Sequence, residues 1–548
     1  MLSQTRDPFL VTFIFSSVSS FFKYPFDISN FSSLLQSGDN VLAIHGLNIS
    51  DDSSDLIFVP RLEITQSAEI TLDQSMGILT TPTPGSINAA FDFEGTVEIP
   101  EASPSRGFYT SPISVTLTSE TPATQIRYTL DGSEPTSSSA LYSSPITISS
   151  TTKLRVKGYK DNYRDSFSST HTYIFLSDVL NIPRQTYYIR GDYSAYPGWG
   201  ADLGQKIVRG IDSTVANQTH TDDNGNTFDV HDALTNLPSL CITTDEDNLY
   251  DQSTGIYVNA TQRWERPASF ELIHPDGSEG FQINEGIRIR GGYTRHDPYP
   301  KRGFRLFFRE QYGEGKLRYP LFEDEGATSF DKIDLRSANN RSWAQDSDSR
   351  NTMLRDLFAR DCSKAMGEPY TRSRYYHLYL NGEYWGVYMT EERPSEEYGA
   401  SYMGGSQEDY DHVKTAGAFH PVSVAGGVGY IMYPASGNMT AFTDLYNRAM
   451  SGFSNNSDYF AAQGMNSNGE PDGSQTRLLD VENLINHQLA IYYTDAADNG
   501  VTGFANPSNS GINNHFSLFN RANPDGFKWI LHDCEWSQDI TLSQHRNR

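Results

Sequence analysis

The sequence predicts a multidomain protein with all-β sandwich modules at its N-terminal side and a larger α+β domain behind them. Three observations carry this. A chain of 548 residues is too long for one hydrophobic core. Apolar and polar residues alternate with period two through residues 25–66 and 107–176, as in strands with one buried face. From residue 237 onward, short strand patterns mix with stretches of helical spacing, the signature of an α+β domain.

Composition narrows the function classes. With 37% hydrophobic and 12% aromatic residues the chain can fill packed cores, so disorder is not expected. The 42 basic and 68 acidic residues leave a formal charge of -26. Such a charge repels phosphate backbones, so no nucleic-acid or anionic-membrane partner is expected, and any phosphate site must be a local basic pocket. Cys241, Cys362 and Cys534 lie far apart without metal-ligand spacing, which predicts buried free thiols. The apolar stretch Phe9 to Phe22 is too short to span a bilayer and reads as strand, with a degenerate signal peptide as the alternative. No run of about 18 apolar residues occurs, so no membrane span is expected.

Within residues 1–70, Asn40-Val41-Leu42-Ala43-Ile44-His45 alternates as a strand. The stretch GDNVLAIHGLNISDDSSDLIFVPRLE resembles the closing strands of a jelly-roll module of large bacterial surface proteins. It is too short to close a sandwich, so a partial module, with the chain beginning inside a domain, is the expectation. A Thr-, Pro- and Gly-rich linker follows at 80–106. In 107–176, strands are predicted at Ile113 to Leu117, Gln125 to Thr129 and Lys153 to Lys157, and Asp131-Gly132 supplies a tight turn. The segment YTLDGSEPTSSSALYSSPITISSTTKLRV is similar to the immunoglobulin-like sandwich attached to chitobiases and hexosaminidases. That resemblance implies the fold and raises carbohydrate as a partner. The connection 177–236 contains Thr221 to Asp229, whose glycine is misplaced for a calcium loop, so a solvated turn is expected.

In 237–548, Met353 to Met366 reads as an amphipathic helix with Met353, Leu354, Leu357, Phe358 and Met366 toward the core. Tyr375 to Met389 reads as a hairpin turning at Asn381-Gly382. Leu479 to Tyr493 reads as a second helix with Leu484, Ile485, Leu489 and Tyr492 on its apolar face. Between Gly286 and Arg309 stand Arg288, Arg290, Arg295, Lys301, Arg302, Arg305 and Arg309 against Asp297 alone. Arg288 and Arg290 share one strand face before Gly291-Gly292, a placement suited to phosphate. The competing reading pairs these cations with surface carboxylates.

The segments WERPASFEL, GIRIRGGYTRHDPYPKRGFRLFF, RDLFARDCSKAMG, HLYLNGEYWGVYMTEERP and GFKWILHDCEW, in that order, resemble the CotH kinase family over roughly residues 237–548. The family takes its name from a spore-coat protein and is distantly related to protein kinases. The resemblance implies an atypical protein-kinase-like α+β domain that uses ATP and Mg2+. It places Lys301 on the nucleotide phosphates and Glu392 beside Lys301 or the nucleotide; a salt bridge to Arg393 is the other account of Glu392. Asp498 becomes the catalytic carboxylate, with Asp495 as the alternative, and Asn514 and Asp533 become magnesium ligands. Turn capping is the other account of Asp498 and the asparagines. His532-Asp533-Cys534-Glu535-Trp536 departs from the family's Trp-Asp-hydrophobic-Asp or Asn pattern, so Glu535 stands as a lengthened second ligand.

Two functions from different classes follow. One is a kinase, secreted or on the cell surface, that transfers phosphate from ATP to Ser, Thr or another hydroxyl of a surface or coat protein. The other is a non-catalytic structural or adhesive protein that binds carbohydrate or protein. A glycoside hydrolase is a weaker third, because carboxylates are too abundant to single out an acid and base.

Overall fold

The computed structural model describes residues 10–17, 20–27, 57–63, 93–183, 185–189, 205–291, 293–295, 301–337, 352–416, 431–496 and 514–537. Leu10–Ser17 pairs antiparallel with Ser20–Asp27 on one side and Ile57–Glu63 on the other. The stretch from Phe9 to Phe22 is thus largely strand, while Asn40 to His45 lies outside the described residues.

The second unit is built of two small sheets. Ile146–Ile148, Ile113–Thr118 and Glu101–Ser103 form one; Gly107–Phe108, Ser169–Ile174, Thr152–Tyr159, Gln125–Thr129 and Ala140–Leu141 form the other. The alternating residues Val115, Leu117, Leu154 and Val156 meet Ile126, Ile148, Tyr173 and Phe175 in a shared core. Gly132 sits at φ 87, and the Asp131 carboxylate accepts the Ser133 amide at 3.0 Å, closing the expected turn. At the expected solvated turn, Asp222 accepts the amides of Asn224 and Asn226 at 2.9 and 2.8 Å inside a hairpin of His220–Thr221 with Thr227–Phe228.

Beyond residue 237, seven strands close into a barrel in the order Ser239–Thr243, Arg266–Ile273, Gln282–Ile289, Phe304–Phe307, Lys332–Arg336, Glu383–Glu391 and Ser373–Leu380. The ring is completed by parallel pairing of Ser239–Thr243 with Ser373–Leu380. Asn381 and Gly382, at φ 50 and 77, make the predicted two-residue hairpin turn. Alternate residues, including Ile287, Ile289, Phe304, Leu306, Ile333 and Leu335, belong to the barrel core. The residues between them point outward and are largely charged. Register lines up Arg288, Arg305, Asp334 and Glu391 as one cross-strand row on that outer face.

A second sheet, Ile431–Ser436, Tyr410–Ala416, Phe516–Asn520 and Lys528–Trp529, follows with the helices Glu396–Met403, Thr440–Ser451, Asn456–Ala462 and Val481–Thr494. The C-terminal part is therefore mixed α/β behind a β-rich N-terminal part. Sandwich and barrel meet in a seam. Ile174 and Val179 pack with Cys241, Ile273 and Tyr379, and the buried Glu271 of the barrel accepts Arg106 Nε at 2.9 Å and the Thr172 amide at 3.0 Å. Among the described residues no helix is long and apolar enough to cross a membrane.

Two helices keep only part of their predicted faces inward: Met366 packs against the Ala359 cluster and Leu484 against the core of Val413 and Phe527, while other predicted positions stand exposed. Arg355–Ala365 buries Asp356, Ala359, Arg360 and Ser363, while Leu354 and Phe358 are exposed. Val481–Thr494 buries Asn483, His487, Ala490, Ile491 and Thr494, while Ile485, Leu489 and Tyr492 are exposed. The inner face of the first helix sets Ala359 in a small apolar cluster with Ala490, Ile491 and Leu531, while Asp356 and Arg360 beside it turn inward to meet charge.

Candidate functional site

Strand Lys332–Arg336 alternates core residues Ile333 and Leu335 with outward Asp334 and Arg336. Arg336 is buried at 2% exposure and gathers four carboxylates. Its guanidinium lies 3.1 Å from Glu391, 3.6 Å from Asp356 and 2.5 Å from Asp533, and it donates to Glu535. Arg360, one helical turn beyond Asp356, adds a pairing at 3.0 Å. Three chain regions are tied together: a barrel strand with its hairpin neighbour, the helix Arg355–Ala365, and the segment after Lys528–Trp529. A third of the Asp533 side chain remains open to solvent.

These carboxylates are driven apart in protonation. Burial works against ionisation of Asp533, but Arg336 and Arg290 outweigh it and hold its pKa down at about 2. Burial pushes Glu535 up to about 8 against the pull of Arg336, with Asp533 adding to the rise. Glu391 is raised to about 7 by burial despite Arg336. An ionised and a protonated carboxyl thus share one guanidinium at neutral pH.

Asp334 centres a second cluster on the same face. Arg305 binds it through two nitrogens at 2.6 and 2.8 Å, Arg290 Nε stands 2.9 Å away, and Arg393 stands at 3.9 Å. Arg290 also reaches to 3.9 Å from Glu391, bridging the two clusters.

A family model described as CotH kinase protein matches residues 287–543, and one described as Chitobiase/beta-hexosaminidase C-terminal domain matches residues 104–171. The chain carries a CotH kinase domain. No curated protein matches it.

Within the CotH domain, several expected residues come together. Asp533 and Glu535 share Arg336, and Asn514 donates its Nδ2 to the Asp533 carbonyl at 3.3 Å. Asp495, Asn514 and Asp533 all have left-handed backbones, at φ 52, 46 and 63. Asp and Asn enter that region more readily than other non-glycine residues, and here they do so at the ends of a helix and of strands. Asp498 lies outside the described residues.

Others fall elsewhere. Glu392 takes the Arg372 amide at 2.9 Å and its guanidinium at 3.1 Å, and also the Tyr402 hydroxyl. Its carboxylate is thereby held by Arg372 and Tyr402, and its neighbour Glu391 is the acid that enters the cluster. Alternation along a strand decides this, since adjacent residues face opposite ways. The Lys301 ammonium sits 3.9 Å above the Trp385 ring. Arg288 lies 4.6 Å over Phe307, with its pKa lowered to about 10 by burial and by Arg305.

Among the described residues no three His, Cys, Asp or Glu side chains form a ready-made metal cage. Magnesium asks for less, since it keeps several waters and uses one or two carboxylates. Asp533, ionised, and Asn514 carry the hard oxygen donors it prefers, so their chemistry fits, while Glu535, pushed up by burial, is the weaker donor. Sequence reasoning missed Arg336, Asp334, Asp356, Arg360 and Glu391. The one local signal was the alternation Ile333-Asp334-Leu335-Arg336, charged residues on a strand whose other face is core.

Proposed function

We propose that the chain is a CotH-type kinase that binds ATP with magnesium at the barrel's outer face and phosphorylates a hydroxyl, such as Ser or Thr, of a secreted or surface protein. The observation that carries this is the match of residues 287–543 to the CotH kinase model, with Asp495, Asn514 and Asp533 standing at the ends of regular elements. Those residues end a helix, precede a strand and follow a strand, the order of catalytic acid, metal amide and metal acid in phosphoryl transfer. Magnesium, when bound, neutralises charge on the phosphate oxygens. Asp533 and Asn514 offer its oxygen donors, Arg290 supplies positive charge between the clusters, and Asp498 or Asp495 takes the proton of the attacking hydroxyl. The hydroxyl oxygen forms the new bond to phosphorus while the bond to the ADP oxygen breaks. The sandwich module is in keeping with carbohydrate as a further ligand.

Calorimetry of the whole chain with ATP, with and without magnesium, tests the reading. The sandwich seam is a reason to keep the chain intact. Magnesium-dependent binding that Asp533→Ala and Asn514→Ala abolish is the expected result. A folded chain that binds no nucleotide overturns it and leaves a structural or adhesive role.

A further inference from the structure

The second cluster is built for an anion. We propose that Arg290, Arg305, Arg393 and Lys414 form an oxyanion seat between the barrel and the C-terminal sheet that takes a phosphoryl or sulfuryl group. The seat needs neither metal nor Asp533, so it goes beyond the kinase reading.

Three arginines surround one carboxylate, Asp334, whose oxygens are already taken by Arg305 at 2.6 and 2.8 Å and approached by Arg290 at 2.9 Å. Arg393 has no acid nearer than Asp334 at 3.9 Å, and its guanidinium makes no hydrogen bond among the described residues, although its side chain is only 14% exposed. Lys414, on strand Tyr410–Ala416, has its ammonium 5.2 Å from the Phe516 ring and 5.9 Å from that of Tyr433, with no carboxylate in ion-pair range among the described residues. An unpaired charge taken out of water is expensive, and folded proteins pair it or give it a ligand.

The electrostatics agree with the geometry. Burial first, and then Arg393, Arg305 and Arg290, push the Lys414 ammonium well below its ordinary value, and burial with Arg305 lowers Arg393 to about 10. The excess positive charge excludes a metal ion. Guanidinium forks and a compact ammonium converging from two sides suit a compact group with several charged oxygens better than a flat carboxylate. The rings of Phe516 and Tyr433 bound the seat. A long polyanion is disfavoured, because the seat lies between packed elements of a chain whose formal charge is -26.

The test uses the full chain without magnesium. Melting and calorimetry are run in sodium phosphate or sulfate against chloride at equal ionic strength. We expect saturable binding of phosphate and sulfate, weakened at least tenfold by Lys414→Met and by Arg393→Gln. In chloride, Lys414→Met should melt no lower than the wild type, because it removes an unpaired charge; that melt also shows the variant is folded. Absence of saturable binding by the wild type overturns the seat outright, as does full binding by both folded variants. Adding ATP identifies the source of the group. Loss of phosphate binding in ATP means the seat takes a nucleotide's phosphoryl group, while persistence means a separate oxyanion. Phosphate binding in a chain that ignores ATP keeps the seat and sinks the kinase reading.

Discussion

The two buried clusters on the barrel's outer face are balanced in opposite ways. Around Arg336, four acids (Asp356, Glu391, Asp533 and Glu535) face two arginines, Arg336 and Arg360. Around Asp334 stand three arginines, one of which also reaches Glu391 at 3.9 Å, and the Lys414 ammonium is electrostatically coupled to the group. In the first, burial pushes Glu391 up to about 7 and Glu535 up to about 8, while the arginines outweigh burial at Asp356 and Asp533 and hold both down; in the second, burial lowers Arg393 to about 10 and Lys414 well below its ordinary value, while Asp334 outweighs burial at Arg305 and raises it. Each cluster thus lacks the charge the other holds in excess. Neighbouring sites of this kind suit a cation and an oxyanion held side by side, the pairing a metal-bound phosphate presents.

The sharpest way to break the comparison is to remove a centre. Arg336→Met leaves four carboxyls around an apolar side chain, and loss of one member of a buried charge network costs about 3–5 kcal/mol. Urea unfolding should show that loss, whereas Lys414→Met should show none; equal losses in both would mean that the clusters do not differ in balance. A smaller effect is expected from pH. Glu391, facing Arg336, Arg360, Arg290, Asp356 and His532, has its pKa raised from 4.5 to about 7 by burial. The folded state then holds that proton more tightly than the unfolded chain, so its contribution is complete below about pH 4.5 and is lost as pH rises to about 7. The slope at its steepest is on the order of 1 kcal/mol per pH unit. Glu391→Gln should flatten that part of a melting profile; an unchanged profile would refute the assignment. Next comes the sandwich seam. Arg106→Ala leaves the buried Glu271 with only its Thr172 contacts, a loss of about 1–3 kcal/mol in the same unfolding measurement.

What was legible in the sequence was local. Gln125 to Thr129 and the Asn381-Gly382 hairpin follow from alternation and a left-handed turn, which neighbouring residues specify unaided. The end-of-element residues Asp533 and Asn514 were found because a resemblance marked them. The Arg336 cluster was not legible, since residues 336, 356, 391 and 533 meet only through the closed barrel and the packing behind it. Helix faces held only in part, for a related reason. Helical spacing shows that a stripe exists, but burial goes to whichever side the neighbours can satisfy, and at Asp356 and Arg360 the neighbours are charges.

The smallest expected effect tests that last step. Ile485, Leu489 and Tyr492, predicted as core, are 53%, 53% and 62% exposed, while His487 and Ala490 on the same helix are buried. Leu489→Ser should therefore change stability by no more than about 0.5 kcal/mol, the range of ordinary surface substitutions. Ala490→Leu, by contrast, forces extra methylenes against Ile491 and Leu531 and should cost about 1–3 kcal/mol. If Leu489→Ser proved the costlier of the two, the helix would bury its apolar stripe after all, and the polar face meeting His487 and Asn483 would have to be rebuilt.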